Sequence, residues 1–133
     1  MWNREHQIVQ MDKRKLFINF SNHPSCYWGD AQRAAAEKYG EICDLPFPMV
    51  DGQSSEEEIS QLADSYVAKI ISMGKPEEIT VHIMGEMTFT FMVVTRLKEL
   101  GIKCVASTTE RITTYNDDGT KVSEFQFVKF REY

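Results

Sequence analysis

The stretch that decides the fold is EITVHIMGEMTFTFMVVTRLKELG, residues 78–101. Its first part, residues 78–84, is rich in β-branched side chains, which is typical of a strand. Residues 88–100 then carry apolar side chains at helical spacing, and Gly101 is a helix stop. A strand that leads directly into a helix predicts one unit of an α/β domain.

The same alternation of strand and helix runs through most of the chain. The predicted strands are residues 15–20, 41–47, 78–84 and 102–108, and the predicted helices lie within residues 28–40, 50–74 and 88–100. Asp30 or Ser25 is a candidate cap of the first helix. Ser54 or Ser55, followed by glutamates in the first turn, is a capping signature for the second.

The closing segment, residues 110–133, alternates on either side of a turn at residues 116–119, which predicts a hairpin. Strands alternating with helices imply right-handed crossovers and a mainly parallel sheet, which we predict in the order 2-1-3-4 with the hairpin or an antiparallel strand at one edge. The predicted fold class is a small Rossmann-like three-layer α/β domain. It comprises residues 15–133, and residues 1–14 are interpreted as an N-terminal arm.

Composition excludes several classes of function. A chain of 133 residues suits one domain, and a net charge of −5 disfavours duplex nucleic acid as a partner, since duplex binding relies on many Lys and Arg side chains. The chain contains no run of about 18 apolar residues, and its N-terminal residues lack the apolar core of a signal peptide. The cysteines lack the paired spacing of a zinc site or a disulfide framework. We therefore expect a cytoplasmic protein that uses no metal or cofactor and does not bind a membrane.

The predicted strand order places two loops beside one crevice. In the order 2-1-3-4 the chain reverses direction between strands one and three, so residues 21–27 and 85–88 flank the same point, where open α/β sheets bind ligands. Gly85 would let the backbone approach a ligand, while Thr88, Thr90 and the first N–H groups of the helix would hold an anion. The alternative is that Thr88 only caps the helix and Gly85 only makes the turn.

Three residues near this crevice are candidates for catalysis. His23 follows strand one in a loop, and an imidazole with a pKa near neutrality can move protons. Glu86 would act as a proton acceptor, bind a ribose or base donor, or pair with a cation, for which Arg111 is the candidate. A surface salt bridge between Glu86 and Arg111 is the alternative.

Other polar residues extend the candidate site. Ser21 and Asn22 either bind the ligand or cap their own turn. Thr108 and Thr109 end strand four beside the crevice, where they either add hydroxyls or reflect strand propensity alone. His82 lies within a strand and is interpreted as a core or face residue. Neither a GxGxxG motif nor a Walker P-loop is present, which disfavours a dinucleotide-dependent redox enzyme or a standard NTPase.

Two stretches carry a resemblance to a known family. MGEMTFTFMVVTRLKELGIKCVASTTER, residues 84–111, and DGTKVSEFQFVKFREY, residues 118–133, resemble the C-terminal half of small stand-alone CRISPR-associated proteins of the CARF (CRISPR-associated Rossmann fold) superfamily. The shared features are a strand-turn-helix that ends in a glycine turn, an ATTER-like strand end and a closing FVKFREY-like strand. The front half, with INFSNHPS after strand one, fits the first ligand loop of the superfamily in place and polarity.

The resemblance implies a nucleotide-binding protein of antiviral defence that binds cyclic oligoadenylate, with tetra-adenylate favoured, across the two-fold axis of a homodimer. Some members are ring nucleases that cleave this messenger without a metal, by in-line attack of a ribose 2′-hydroxyl on the neighbouring phosphate. Many larger members place a Lys just after the threonine of the turn, where this chain has Phe89, so Arg111 would replace that contact. The alternatives are a non-catalytic sensor or sponge of the same ligand, and a structural or protein-interaction domain.

Overall fold

The computed structural model describes residues 15–133, so the proposed N-terminal arm, residues 1–14, lies outside the described residues. The strands are β1 (Leu16–Ser21), β2 (Glu41–Asp44), β3 (Ile79–Met84), β4 (Lys103–Tyr115) and β5 (Lys121–Glu132). The α-helices are α1 (Asp30–Glu37), α2 (Glu56–Ile71) and α3 (Met87–Glu99), and short 3₁₀ helices span Ser25–Tyr27 and Pro76–Glu78.

The strands form one five-stranded sheet in the order β2-β1-β3-β4-β5. All neighbours are parallel except β4 and β5, which form an antiparallel hairpin at one edge. The predicted Rossmann-like fold class, strand order and edge hairpin are confirmed.

Local sequence explains how the helices begin and end. In α2, Ser55 and Glu58 form the predicted capping box, in which each side chain accepts a hydrogen bond from the other residue's backbone N–H. The prediction for α1 is wrong, because Gly29 precedes the helix without a side-chain cap and Asp30 is its first residue. Gly101, at φ +78°, follows α3 in the left-handed conformation that glycine adopts without strain.

The fourth strand is longer than predicted. Residues 102–108 and the first arm of the hairpin are one continuous strand, β4, which bends at a bulge between Thr108 and Thr109. Only the first three residues of β4, up to Val105, pair with β3. The rest of β4 and its partner β5 extend past the parallel sheet as a two-stranded ribbon.

The sheet separates two hydrophobic clusters. Alternate residues of β1 and β3, such as Ile18 and Val81, pack against α2 and α3 on one face. Phe17, Val105 and Phe130 pack against α1 on the other face. Within residues 15–133, we find no helix with the length and apolar character needed to cross a membrane.

Candidate functional site

A row of polar side chains crosses the sheet on the same face as the second cluster. In the strand register, Asn19 of β1 lies beside Asp44 of β2 on one side and beside His82 of β3 on the other. Neighbours in register project from the same face of a sheet, so these three side chains contact one another. The Asn19 amide donates to Asp44 Oδ1 at 2.8 Å, and Asn19 Oδ1 lies 2.9 Å from His82 Nδ1.

The orientation of the Asn19 amide follows from its partners. Its nitrogen also donates to the carbonyl oxygen of His23 at 2.8 Å. The His23 carbonyl and the Asp44 carboxylate can only accept hydrogen bonds, so the atom that faces them must be the amide nitrogen. Its oxygen accepts from the Ser21 hydroxyl at 2.7 Å. The remaining partner, His82 Nδ1, must therefore donate to the same oxygen, which fixes the neutral imidazole as the Nδ1–H tautomer.

Asp44 anchors the loop that follows β1. Its carboxylate accepts hydrogen bonds from the Ser25 backbone N–H at 3.1 Å and from the Ser25 hydroxyl at 2.9 Å. Arg33 of α1 donates to the Ser25 carbonyl at 2.7 Å. Partial burial raises the pKa of Asp44, but the hydrogen bonds from Asn19 and Ser25 outweigh it and hold that pKa below its usual value. The loop is thus held by an ionised carboxylate.

His82 is 2% exposed and lies among aromatic rings. Its ring centroid is 6.1 Å from that of Phe17, 5.2 Å from that of Phe130 and 5.6 Å from that of Trp28. Burial, and next the nearby charge of His23, lower the pKa of His82 to about 4, so the imidazole is neutral at physiological pH. Within residues 15–133, its Nε2 has no hydrogen-bond partner.

A cleft of about 500 Å³ opens above this row, where β1, β3 and β4 end or leave the sheet. The lining residues come from the loop after β1, from α1, from these three strands and from the turn after β3: Ser21, Asn22, His23, Tyr27, Trp28, Gln32, His82, Met84, Gly85, Ser107 and Thr109. Within the described chain, none of these is a lysine, an arginine or a carboxylate. The cleft therefore offers neutral hydrogen-bonding groups and aromatic surface.

The loop residues predicted for the site lie together in this cleft. Ser21 uses its hydroxyl internally, donating to Asn19 and accepting from the backbone N–H of His23 at 3.2 Å. Asn22 and His23 have exposed side chains at the cleft rim. Thr109 reaches the cleft from β4, and Gly85 reaches it from the turn after β3.

Glu86 has a different position from the one predicted. It is the N-terminal cap of α3, and its carboxylate accepts from the backbone N–H groups of Thr88 at 3.0 Å and Phe89 at 2.8 Å. The hydrogen bond from Phe89, followed by that from the Thr88 hydroxyl, lowers the pKa of Glu86. The prediction that this helix terminus offers free N–H groups to an anion is wrong, because a carboxylate of the chain already occupies them.

Gly85 is explained by packing. A Cβ at this position would overlap the ring of Phe47, which lies against the backbone of the turn. Phe47 also packs edge-on against Phe89, with ring centroids 5.2 Å apart. The glycine therefore lets one aromatic side chain close the core beneath the cleft.

The other predicted residues lie outside the cleft. Two apolar grooves lie beside α3, and Thr88 lines one of them while Thr90 lines the other. Thr108 lies at the bulge, where its hydroxyl donates to the Lys129 carbonyl at 3.1 Å. Arg111 lies on the ribbon and donates to the Ser123 hydroxyl at 3.3 Å, and among residues 15–133 it forms no ion pair with Glu86.

The ribbon nevertheless carries Arg111 toward the cleft side of the sheet. Side chains alternate along β4, so Arg111 and Tyr115 share a face with the cleft residue Thr109. Phe125 pairs with Arg111 across the ribbon and belongs to the same face. A cation and two exposed aromatic rings thus extend outward from the cleft wall.

Sequence reasoning missed the residues that organise the site. Asn19, Asp44 and His82 are polar residues of three adjacent parallel strands, and His82 was interpreted as a core or face residue. A polar residue in each of three adjacent parallel strands was the available signal, because a polar side chain that the sheet buries, as it buries Asn19 and His82, requires a partner. Tyr27 and Trp28 had been considered as stacking residues for a base, with burial against the following helix favoured, whereas Gln32 and Ser107 gave no local signal, since α1 and the course of β4 bring them to the cleft.

The described chain matches the model of the family described as "Uncharacterized protein MJ1673 family" over residues 15–131. The chain belongs to this family. The match covers nearly all of the described residues, including every residue of the cleft. No curated protein matches the chain. The family description names no activity.

No group of three or more His, Cys, Asp or Glu side chains within residues 15–133 is arranged to hold a metal ion. Cys26 is exposed near the cleft loop and Cys43 is half-buried. Burial raises the pKa of the Cys104 thiol to about 12, which makes it a poor nucleophile.

Gly85→Ala should lower the free energy of unfolding by about 1–3 kcal/mol, because the added methyl group displaces the Phe47 ring. Gly52→Ala is the matched control, since no atom lies within 4 Å of a Cβ built there. Urea denaturation of both variants measures the difference. Equal and small changes in the free energy of unfolding of the two variants would contradict the tight contact between Gly85 and Phe47.

Acid denaturation should report the burial of neutral His82. Its pKa falls from 6.5 to about 4 on folding, so the unfolded chain binds a proton in this pH range that the folded chain does not. The stability that depends on the neutral imidazole is complete above pH 6.5 and is lost as the pH falls toward 4, by roughly 3 kcal/mol in all.

Urea denaturation in steps across this pH range measures the effect. His82→Asn should remove the pH dependence of the free energy of unfolding between pH 6.5 and 4. The loss of stability caused by protonation of carboxylates below pH 4 should remain in both proteins. If the free energy of unfolding changes equally with pH in wild type and in His82→Asn between pH 6.5 and 4, the imidazole is not buried in its neutral form.

Proposed function

We propose that this protein binds a cyclic oligoadenylate in the cleft of a homodimer and cleaves it as a ring nuclease, by in-line attack of a ribose 2′-hydroxyl without a metal. The observation that carries the proposal is the cleft itself, which lies at the predicted reversal of strand order and is lined by both predicted loop regions, through Ser21, Asn22, His23 and Gly85. The resemblance to the CARF superfamily supplies the class of ligand. The cytoplasm, where such messengers act, is the proposed location.

The size and polarity of the cleft suit one nucleotide of such a ring. A volume of about 500 Å³ lies within the usual range of small-molecule pockets. Tyr27 and Trp28 supply aromatic surface on which a base can stack, and Asn22, Gln32 and Ser107 supply neutral polar groups for its edge and its sugar. The remainder of a ring would extend out of the cleft.

The ribbon is positioned to contact that remainder. Arg111 lies two residues beyond Thr109 on the same face of β4, so a phosphate that leaves the cleft along this wall would meet its guanidinium group. Tyr115 and Phe125 are 72% and 71% exposed on this face and offer stacking surface for further bases.

An apolar surface next to the cleft supports a second copy of the chain. Met87 and Phe91, one helical turn apart on α3, are 83% and 73% exposed. They line a groove that Met84 and Gly85 share with the cleft, so a copy seated there would bring its own cleft next to this one. Exposed apolar patches of this kind mark interaction sites.

The charge of the cleft favours a second candidate function, a non-catalytic sensor or sponge of the same ligand. Within the described residues, no cation lines the cleft, and Glu86 is engaged as a helix cap. Charge stabilisation of the transition state would then come from Arg111 alone among the predicted catalytic groups.

Incubation with labelled cyclic tetra-adenylate in the presence of a chelator tests the function directly. The proposed nuclease gives linear products, and the sensor binds the ring and leaves it intact. A protein that shows no thermal shift with any cyclic oligoadenylate is instead a structural or protein-interaction domain.

Arg111→Ala should weaken binding of cyclic tetra-adenylate by about tenfold, the loss expected for one charge-assisted contact. Arg131→Ala is the matched control, since Arg131 pairs with Ala106 and projects from the opposite face of the hairpin. Isothermal titration calorimetry gives both affinities. Equal affinities of the two variants would remove Arg111 from the ligand site.

Phe91→Glu should convert the dimer into a monomer, because the new carboxylate would be buried against a second copy. Met49→Glu, at a position that is 96% exposed and outside the α3 grooves, should leave the mass unchanged. Size-exclusion chromatography with light scattering measures the mass. A dimeric Phe91→Glu variant would place the interface elsewhere.

A further inference from the structure

An imidazole nitrogen in the cleft wall has a lone pair without a partner. Asn19 fixes the proton of His82 on Nδ1, so Nε2 is an acceptor at neutral pH. The side chain is 2% exposed and forms part of the cleft lining, and within residues 15–133 nothing donates to Nε2. Buried polar atoms without partners are rare, and one in a cleft wall indicates a group that a ligand completes.

A donor without a partner lies beside it. Trp28 lines the same cleft, and its buried indole Nε1–H also has no acceptor within the described residues. The Trp28 and His82 rings pack edge to face with centroids 5.6 Å apart, so the two nitrogens without partners belong to neighbouring rings of the cleft wall. A group that both donates and accepts therefore complements the two rings, and a hydroxyl is the smallest such group.

We infer that His82 Nε2 binds the ribose 2′-hydroxyl of the ligand and accepts its proton, with Trp28 Nε1–H donating to the same oxygen. This inference rests on the proposed function, because only a ribonucleotide ring supplies that hydroxyl. It gives His82, rather than the rim residue His23, the role of the base.

The reaction balances without any further reactant. The 2′-oxygen forms a bond to the adjacent phosphorus as its proton passes to His82 Nε2, and the bond from phosphorus to the 5′-oxygen breaks. The leaving 5′-oxygen takes a proton from solvent. The products are a 2′,3′-cyclic phosphate and a 5′-hydroxyl, and His82 returns its proton to water.

The polar row explains how a buried imidazole can hold that proton. Once both nitrogens of His82 are protonated, Nδ1–H still donates to Asn19, whose amide donates to the Asp44 carboxylate. The Asp44 carboxylate thus holds the Asn19 amide in the orientation that keeps an acceptor for Nδ1–H in both protonation states of His82. The exposed His23 side chain gains no such support from the row, since the row contacts only its backbone.

Two isosteric variants separate the roles of the two nitrogens. His82→Asn places an amide near the position of Nδ1 and keeps a donor for Asn19, but it removes the acceptor at Nε2. His82→Gln places an amide oxygen near the position of Nε2. Circular dichroism and thermal melting establish that each variant is folded, and His23→Ala is the control for the other histidine of the cleft.

Two ligands make the test specific for the hydroxyl: cyclic tetra-adenylate and its all-2′-deoxy analogue, which cannot be cleaved. His82→Asn should bind the deoxy ring within about twofold of wild type and lose the preference for the ribose ring, while cleavage slows by about 100-fold or more. His82→Gln should keep the preference, because it keeps the acceptor. His23→Ala should keep the preference for the ribose ring and should slow cleavage less than His82→Asn does, whereas Gly52→Ala, outside the cleft, should cleave at the wild-type rate.

The outcomes separate this inference from the proposed function. A wild-type protein that binds neither ring refutes both. If wild type binds the ring but His82→Asn cleaves equally fast, or keeps the same preference for the ribose ring, the role of His82 is refuted and the proposed function stands. If wild type binds cyclic tetra-adenylate without cleaving it, the binding comparison is the test. Loss of the preference for the ribose ring in His82→Asn then supports the contact of His82 with the hydroxyl, and an unchanged preference refutes it.

Nuclear magnetic resonance of the wild-type protein provides a test that needs no variant. The Nε2 signal of His82 should be that of an unprotonated nitrogen. It should shift on addition of the ribose ring and stay in place with the deoxy ring. A protonated Nε2 in the free protein, or equal shifts with both rings, would overturn the assignment.

Discussion

The hydrogen bonds of one asparagine connect the three strands at the cleft end of this sheet. Asn19 lies in the central strand, and the register of β2, β1 and β3 places Asp44 and His82 on either side of it. Because its amide has a single satisfactory orientation, it fixes the His82 tautomer and binds the carbonyl of His23 at the same time. A shift of one residue in either strand pairing would turn one of these side chains to the opposite face. The geometry of the cleft therefore follows from strand register.

The turn after β3 is determined by packing and capping. Gly85 admits the Phe47 ring, and Glu86 satisfies the N-terminal N–H groups of α3. A carboxylate at this terminus repels the phosphate that many α/β domains bind in the equivalent place. A ligand of this cleft must therefore place its sugar or base, and not its phosphate, against the turn, and its phosphate toward the ribbon that carries Arg111.

The fold was predictable because its signals are local. Helical spacing, the glutamates after Ser55 and the turn at Gly101 each act within a few residues, and alternation with strands then implies a parallel sheet with few possible orders. The loop after β1 and Gly85 reached the cleft for the same reason, since strand order alone brings them together. Asn19, Asp44 and His82 were missed because their partners lie 25 and 63 positions apart along the chain, and only the register brings them into contact. Glu86 was misplaced because a capping carboxylate and a catalytic one look alike in the sequence.

A neutral cleft is a physically reasonable place for an acidic protein to bind a polyanion. With a net charge of −5, the protein gains little from long-range attraction, so affinity must come from contacts made at close range. Stacking on Tyr27 and Trp28 and hydrogen bonds to neutral groups are short-range and insensitive to net charge. The same neutrality means that no carboxylate among the described lining residues competes with the uncharged His82 imidazole as acceptor of the 2′-hydroxyl proton in the proposed chemistry. The lack of Lys and Arg side chains among the described residues of the cleft lining is then a requirement of the proposed chemistry, because a lysine there would donate to the hydroxyl oxygen and hold it away from the phosphorus.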